Sequence, residues 1–203
     1  MAVLSGLHAG TEKFLQLDAG VLLTGITTDE LENTQNWSST LKKGLLGATK
    51  GGASFTATPE FRSLLDGVNG ARGNYKDGQV IDSWDISLKA TISEMTKTNI
   101  MLAMGGKVSD ITEHKLLSKH KASVGVVPSD HFISSVVWAG KIAGKEAPMF
   151  IYLKDVLNVN GVNFTAEDKN TGSIELELKA HFNVANPDEV PFYIYTSNAG
   201  GDV

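Results

Sequence analysis

The sequence contains no cysteine, and this absence excludes several classes of site. Disulfide bonds, iron–sulfur clusters and zinc sites with cysteine ligands are ruled out. A basic surplus is also missing, because 18 Lys and Arg stand against 23 Asp and Glu, for a formal net charge of −5. A protein dedicated to nucleic acid usually carries the opposite balance, since it must neutralise phosphates. The composition therefore disfavours that class.

Long apolar runs are missing as well. No stretch reaches the roughly 18 apolar residues that a membrane-spanning helix requires. The first ten residues, MAVLSGLHAG, have neither the basic start nor the unbroken apolar segment of a signal peptide. We therefore expect a protein with no membrane partner, which is made and kept in a cytoplasm or leaves it by a route other than secretion.

Alternation of apolar and polar residues is the clearest structural signal in the chain. It runs from Trp84 to Ile92 and again from Ile174 to Phe182. A period of two residues predicts strands with one buried face and one face in water. A polar link ending in Gly172 predicts a hairpin before the second of these strands. Further strand candidates lie at residues 13–25, 53–58, 131–140, 148–159, 162–166 and 192–196.

Helical signals are few. Thr96 is placed to cap a short helix in which Ile100, Met101 and Met104 recur at helical spacing, and a weaker signal lies near Thr28. Strands therefore dominate. The residues predict a mainly all-β protein, a sandwich or open barrel with one short packed helix, in a single domain over residues 1–203.

Two long polar segments between strands, residues 26–52 and 59–79, carry large apolar residues that a flexible linker would not need. Loops of this length are uncommon in compact domains and are usually functional or disordered. We expect these segments to be assembly loops whose apolar residues are covered by a neighbouring subunit. The alternative is that they fold back on their own domain. The candidate inter-subunit residues are Trp37, Leu41, Leu45, Leu46, Phe61, Leu64 and Leu65.

The sequence shows no pattern typical of a catalytic or metal-binding site. The glycine-rich segments 47–52 and 105–109 do not match a phosphate-binding loop, and the five histidines show no metal-ligand spacing. Asp85, Glu175 and Glu177 have the chemistry of a glycosidase acid and base, but a charged strand face explains them equally well. We therefore expect no enzyme, no cofactor and no metal site.

Several stretches of the chain together resemble the major tail tube proteins of long-tailed bacteriophages. They are GATKGGASFTATPEFRSLLDGVNGARG, WDISLKATISEMTKTNIMLAMGG and the C-terminal run from Met149 to Thr196. The first contains a phrase similar to one in that family, formed here by Glu60, Arg62, Asp66 and Gly67. The likeness covers most of the chain from about Gly47 onward, and it consists of patterns and short phrases.

The resemblance implies two packed, roughly orthogonal antiparallel sheets with a flanking helix. It also implies a structural virion protein that polymerises as stacked hexameric rings to form the tail tube, the conduit for DNA ejection. The implied partners are further copies of itself, the tape-measure protein, the tail tip or baseplate proteins and the tail terminator protein. Double-stranded DNA would pass through without specific binding. The protein would reside in the virion tail, and in the host cytoplasm during assembly.

In such a ring the inner sheets of the subunits join into one barrel, so the polar strand faces would line the channel. A lumen that is negative on balance would let DNA slide and not stick. The alternative is that one or both strands belong to the outer sheet and face solvent. The candidate lumen-facing residues are Asp85, Lys89, Glu175, Glu177 and Lys179.

Two other functions compete with the tail tube. The inner tube of a contractile tail or tailocin, or the ring protein of a type VI secretion system, would have the same fold, and a neighbouring sheath gene would distinguish it. A carbohydrate-binding β-sandwich would place exposed aromatic residues together, whereas Trp37, Trp84 and Trp138 are scattered along the sequence.

Overall fold

The computed structural model of the chain describes residues 10–33, 37–71, 73, 75–105, 109–111, 119–122, 124–166 and 168–197. Strands dominate this part of the chain. They are β1 (Val21–Thr24), β2 (Thr49–Ser63), β3 (Gln79–Ile92), β4 (Ser109–Ile111), β5 (Lys119–Lys121), β6 (Ile133–Gly140), β7 (Met149–Asn158), β8 (Asn163–Thr165), β9 (Ser173–Ala180) and β10 (Phe192–Tyr195). The α-helices are α1 (Thr28–Asn33), α2 (Trp37–Lys42) and α3 (Lys97–Ala103), and short 3₁₀ turns lie at Thr11–Phe14 and Ser129–His131.

Eight of these strands form one antiparallel sheet. Its order is β1-β6-β7-β9-β3-β2, with β10 paired to β7 and β8 paired to β9. Strands β4 and β5 form a separate two-stranded sheet. The prediction of a mainly all-β sandwich is confirmed, and so is the hairpin between β8 and β9.

The sheet divides into two halves along β7. Residues 150–153 of β7 pair with β10, whereas residues 156–158 pair with β9. Asp155 lies between them at a φ of 48°, in the left-handed region, so the ladder changes partner at this residue. We call β1, β6, β10 and the first part of β7 the β10 half. We call β2, β3, β8, β9 and the end of β7 the β9 half.

The two halves pack face to face around the main core. The ring of Phe192 in β10 lies 5.7 Å from Phe55 in β2 and 5.5 Å from Trp84 in β3, measured between centroids. The layers of the sandwich are therefore halves of one continuous sheet. Each fully buried Leu or Ile contributes roughly 1.5–3 kcal/mol by leaving water. The fully buried side chains of this core include Leu22, Ile86, Leu88, Ile92, Val136, Leu153, Val156, Ile174 and Leu178.

A second apolar cluster covers the other face of the β10 half. Leu31 of α1 packs there with Leu23, Val137, Phe150 and Tyr152. The β10 half is thus buried on both faces, which explains why β6 and β7 read as nearly continuous apolar runs. The β9 half is buried on one face only, which explains its strict alternation.

The helices partly differ from the prediction. The helix predicted after Thr96 is confirmed as α3. Its first turn carries the expected cap, in which the Thr96 hydroxyl accepts a hydrogen bond from the backbone N–H of Asn99 at 3.1 Å. The signal near Thr28 is confirmed as α1, where Thr27 and Glu30 cap each other reciprocally. Helix α2 was not predicted. A helix of six residues is too short to show a repeating apolar period.

The two segments expected as loops contain more regular structure than the sequence indicated. Residues 26–52 include both α1 and α2 and the start of β2, and residues 59–63 belong to the end of β2. The loop between β2 and β3 is therefore residues 64–78. The end of β2 was not predicted because it begins with Pro59, and proline usually indicates the end of a strand. Proline is tolerated in a sheet only where its missing N–H faces away from the neighbouring strand.

Candidate functional site

The polar surface of the β9 half carries all five residues that were predicted to face a lumen. Asp85 and Lys89 lie on β3, and Glu175, Glu177 and Lys179 lie on its neighbour β9. Lys89 is directly opposite Glu177 in the register of these strands. Directly opposed residues in antiparallel strands share a face, so the five side chains occupy one surface. We call this surface the polar face; its exposure to a lumen stays a prediction.

Ion pairs cross the polar face from strand to strand. Lys89 Nζ lies 3.2 Å from Glu177 Oε1, and Lys179 Nζ lies 2.7 Å from Asp85 Oδ1. Glu175 accepts a hydrogen bond from the amide of Asn163 at 2.9 Å. These pairs are solvent-exposed, so each contributes at most about 1 kcal/mol to folding. Their main effect is to place each of these two lysines beside a carboxylate.

The charge of the polar face is slightly negative on balance, with four carboxylates against three lysines. Across β2, β3 and β9, lysines and carboxylates alternate on the same surface. The excess of negative charge is slight, and hydroxyl groups of Ser54, Thr56, Ser87 and Thr91 separate the charges. The lysines of the face are Lys50, Lys89 and Lys179, and the carboxylates are Glu60, Asp85, Glu175 and Glu177.

A shallow depression of about 520 Å³ lies on this face beside the bulge at Gly51 and Gly52. Its charged lining is Lys50, Lys89, Glu175 and Glu177, with Asn160 at one side. Within the described residues, no group of three or more His, Asp or Glu side chains is arranged to hold a metal ion.

The tryptophans do not form an exposed aromatic platform in the part of the chain that the structure describes. Trp138 is buried in the main core, and its indole N–H donates to the Ala19 carbonyl at 3.0 Å. Trp84 packs on Phe192 inside the sandwich. The side chain of Trp37 lies outside the described residues. Two of the three tryptophans therefore have structural roles, which weakens the case for a carbohydrate-binding surface.

The two ends of the sheet differ in how their edges are covered. The edge of β1 is occupied by residues 44–46, since Thr24 N donates to Gly44 O at 2.8 Å and Leu46 N donates to Leu22 O at 3.0 Å. In contrast, no strand among the described residues pairs with the outer edge of β2, which is 15 residues long. An uncovered edge of this length is a template for pairing with another chain.

The leucines proposed as inter-subunit contacts in the first segment differ in how deeply they are buried. Leu46 is only 4% exposed and belongs to the main core, so its prediction as an inter-subunit residue is wrong. Leu41 is partly buried against the second cluster, whereas Leu45 is 51% exposed. Leu46 was mistaken because its partners on β1 lie more than twenty residues away, where no local pattern reveals them.

The candidate residues of the second segment lie at the end of the β2–β3 hairpin. Phe61 is 60% exposed, Leu64 is 55% exposed, and Leu65 is also exposed. Val68, Tyr75 and Ile81 add further exposed apolar surface to this end. We call these six residues the hairpin tip. Exposed apolar patches on a folded domain mark interaction surfaces; the contact of the hairpin tip with a neighbouring subunit stays a prediction.

The stem beneath the hairpin tip is held by specific contacts. Arg62 forms a two-pronged ion pair with Asp82, with N–O distances of 2.7 and 3.0 Å. This interaction lowers the pKa of Asp82 and raises that of Arg62. The Leu64 amide donates to the Gly78 carbonyl at 2.9 Å and closes the hairpin. The tip is thus presented on an ordered stem.

Sequence reasoning missed the polar contacts that hold β10 in place. Glu189 accepts from Lys154 at 2.6 Å and from the Tyr193 hydroxyl at 2.5 Å. The Lys154 ammonium keeps the pKa of the Glu189 carboxyl below its usual value. Burial and the nearby Glu32 raise the pKa of Tyr195 to about 12. No local pattern signals the contacts of Lys154 and Glu32, because both residues are distant from β10 in the sequence.

Comparison with known protein families finds no family model that matches this chain, and comparison with curated proteins finds no significant relative. Among the described residues there is no helix long and apolar enough to cross a membrane.

Proposed function

We propose that this chain is a structural virion protein that polymerises as stacked hexameric rings to form a phage tail tube, the conduit for DNA ejection. The observation that carries the proposal is the asymmetry of the β9 half. One face of this half packs on the core, the opposite face is polar, and the outer edges of β2 and β8 are both unpaired among the described strands. Such a unit has one surface for a channel and two edges for neighbours.

The strand count of the β9 half is compatible with a closed ring. The half contains the strand order β2-β3-β9-β8, with the end of β7 on the same edge of β9 as β8, and every pairing within it is antiparallel. With an even number of strands, rotation about a ring axis brings β8 of one copy antiparallel to β2 of the next. Six copies would supply about 24 strands, and barrels of about 16–18 strands already enclose an aqueous channel.

The layers of the subunit support one orientation in the ring. Helix α1 and the second cluster lie on one side of the sandwich, and the polar face lies on the other. With the polar face inward, the channel is lined by short hydroxyl side chains and by carboxylates and lysines that neutralise one another. Such a surface offers DNA little net attraction, because phosphate binding requires an uncompensated positive charge.

The hairpin tip supplies a second kind of contact. Its apolar side chains project beyond the core on an ordered stem, and the ring described above leaves them uncovered. Burying them against the next ring would stack the rings into a tube. The resemblance to tail tube proteins supports this arrangement.

Electron microscopy of the purified protein tests the proposal. We expect rings or tubes with a hollow centre at high protein concentration, or in the presence of a tail-initiating complex. A protein that remains a monomer under all these conditions, and does not enter tails in an infected cell, would show that the proposed function is wrong.

Reversing two charges on the polar face should affect DNA delivery more than folding. We expect the double variant Glu175→Lys, Glu177→Lys to assemble, because exposed ion pairs contribute at most about 1 kcal/mol each. DNA ejection from otherwise complete particles should become slower and more dependent on salt, since the added lysines attract phosphates. The rate of DNA release from purified particles is the measurement.

The matched control is Glu12→Lys, Glu146→Lys, which changes the net charge equally at exposed sites away from the polar face. Normal ejection by the control and slow ejection by the polar-face variant would place the polar face in the channel. Equal ejection rates for both variants would indicate that these carboxylates lie on the outer wall of the tube.

A further inference from the structure

The backbone of β9 reveals which strand each of its residues faces. Glu177 N donates to the side chain of Asn158 at 2.9 Å, and Glu177 O accepts from Val159 N at 2.9 Å. The backbone of Glu177 therefore points toward the end of β7. Since backbone groups alternate in direction along a strand, Leu176 and Leu178 point the other way, toward β3.

The same alternation can be followed across the sheet to its free edge. Leu178 pairs with Leu88, so Leu88 directs its N–H and C=O toward β9 and away from β2. Its partner on β2 is Phe55, whose backbone groups consequently point away from β3. Ala53 and Ala57 lie in the same unbroken register and point the same way.

Pro59 gives an independent check of this result. It pairs with Trp84 two residues beyond Ala57, so the alternation places its backbone nitrogen on the free edge. Proline has no N–H to donate, and in a sheet it is confined to positions where the nitrogen faces away from the partner strand. Both arguments therefore assign the outward backbone groups of β2 to Ala53, Phe55, Ala57 and Pro59.

The outward donors of β2 are limited at both ends. On one side Pro59 supplies a carbonyl but no N–H. On the other side Gly51 and Gly52, with φ values of 78° and 83°, form a bulge that breaks the register between Lys50 and Ala53. An added strand thus finds a regular set of donors and acceptors only between Ala53 and Ala57.

We infer that Pro59 and the Gly51–Gly52 bulge fix the register in which β2 pairs with strand β8 of a second copy of this chain. The inference deepens the proposed function and rests on it. On β8, Asn163 pairs with Glu175, whose backbone points toward β8, so Asn163 faces β9 and Phe164 directs its backbone outward. The backbone N–H and C=O of Phe164 can therefore pair with the outward C=O and N–H groups of β2.

The side chains agree with this pairing. Phe164 lies opposite Ile174, on the core side of the sheet, yet it is 56% exposed. Phe55 and Ala57 lie on the core side of β2 and are only partly buried. Pairing β8 with β2 of the next copy would bring these apolar side chains together and extend the core across the junction.

A fixed register has a geometric consequence for the ring. A slip of one residue would turn the polar side chains of one strand toward the core, so only slips of two residues are tolerated. A slip of two residues at every junction changes the shear of the barrel and therefore its tilt and diameter. A strand centred on Phe164 uses all three outward positions of β2 only when Phe164 lies opposite Phe55, and this single register gives a single tube width.

Removing one outward N–H tests the junction. Ala57→Pro deletes a donor on the free edge without removing any hydrogen bond between β2 and β3, whereas Ala57→Val adds similar bulk and keeps the donor. We expect the valine variant to form tubes and the proline variant to remain monomeric, with similar thermal unfolding of the two monomers. Should Ala57→Pro fail to fold, Phe164→Pro, with Phe164→Leu as its control, tests the junction from β8.

Restoring the missing N–H tests the register. Pro59→Ala extends the edge donors by one position, and Thr58→Ala is the control, because the Thr58 backbone faces β3. We expect Pro59→Ala to produce tubes of more than one width in electron micrographs, and Thr58→Ala to produce a single width. Tubes of a single unchanged width from Pro59→Ala would overturn the register assignment.

The outcomes separate this inference from the proposed function. Normal tubes from both Ala57→Pro and Phe164→Pro would overturn the β2–β8 junction and leave self-assembly intact. Wild-type protein that forms neither rings nor tubes would overturn the proposed function, and the inference with it.

Discussion

Replacing Phe61 and Leu64 with aspartate should abolish tube formation while the monomer still unfolds at nearly the same temperature. Both side chains are more than half exposed in the single subunit, so their loss removes little of the core. In a tube the exposed part of each side chain would be buried, which contributes roughly 1–2 kcal/mol per side chain. Since 1.4 kcal/mol corresponds to a factor of ten, we expect the protein concentration needed for assembly to rise at least about tenfold.

The measurement is the assembly threshold, determined by sedimentation and electron microscopy over a range of concentrations. The control is Val126→Asp, Val184→Asp, which introduces the same charges at two almost fully exposed apolar residues outside the hairpin tip. We expect the control to assemble near the wild-type threshold. Equal thresholds for the two double variants would remove the hairpin tip from the assembly contacts.

Replacing Asn158 with alanine should produce a large loss of stability. Asn158 is buried where β7 ends, and its amide donates to Ala103 O at 2.8 Å and to Gly161 O at 3.0 Å. Its side-chain oxygen accepts from Glu177 N at 2.9 Å. The substitution leaves these groups without their partner, and we expect the free energy of unfolding to fall by about 2–4 kcal/mol.

Urea denaturation of the monomer measures this loss, with the midpoint lowered and the slope unchanged. Asn160→Ala is the matched control, because Asn160 is exposed and two residues away, and surface substitutions usually stay within about 0.5 kcal/mol. If both variants unfolded at the wild-type midpoint, Asn158 would not be the link between α3, β9 and the end of β7.

The alternating strands were predictable because their period is visible in the sequence itself. Ile86 to Ile92 and Ile174 to Ala180 show which side chains enter the core, and the structure confirms these buried positions. The Thr96 cap was predictable for a similar reason, since the capping residue lies three residues before the amide it binds. Both the strand alternation and the helix cap depend only on residues that are close together in the sequence.

The rest depended on distant contacts. That β3 and β9 are neighbours, and that Lys179 meets Asp85, follows from strand order, which no local pattern contains. Leu46 looks like any other apolar residue in a polar segment until β1 is placed beside it. Whether an exposed residue such as Phe61 meets another subunit depends on copies of the chain that a single sequence does not describe.

The absence of cysteine from the chain allows the orientation of the polar face to be measured directly. A cysteine introduced at Ser87 lies on the polar face, and one introduced at Asp29 lies on α1, at the opposite side of the sandwich. Each variant can be labelled as a monomer with a thiol-reactive gold cluster, mixed sparsely with unlabelled protein, assembled and imaged by electron microscopy. We predict that gold on Ser87→Cys lies in the channel of the tube and that gold on Asp29→Cys lies on its outer surface. Gold on the outer surface for Ser87→Cys would contradict the assignment of the polar face to the channel.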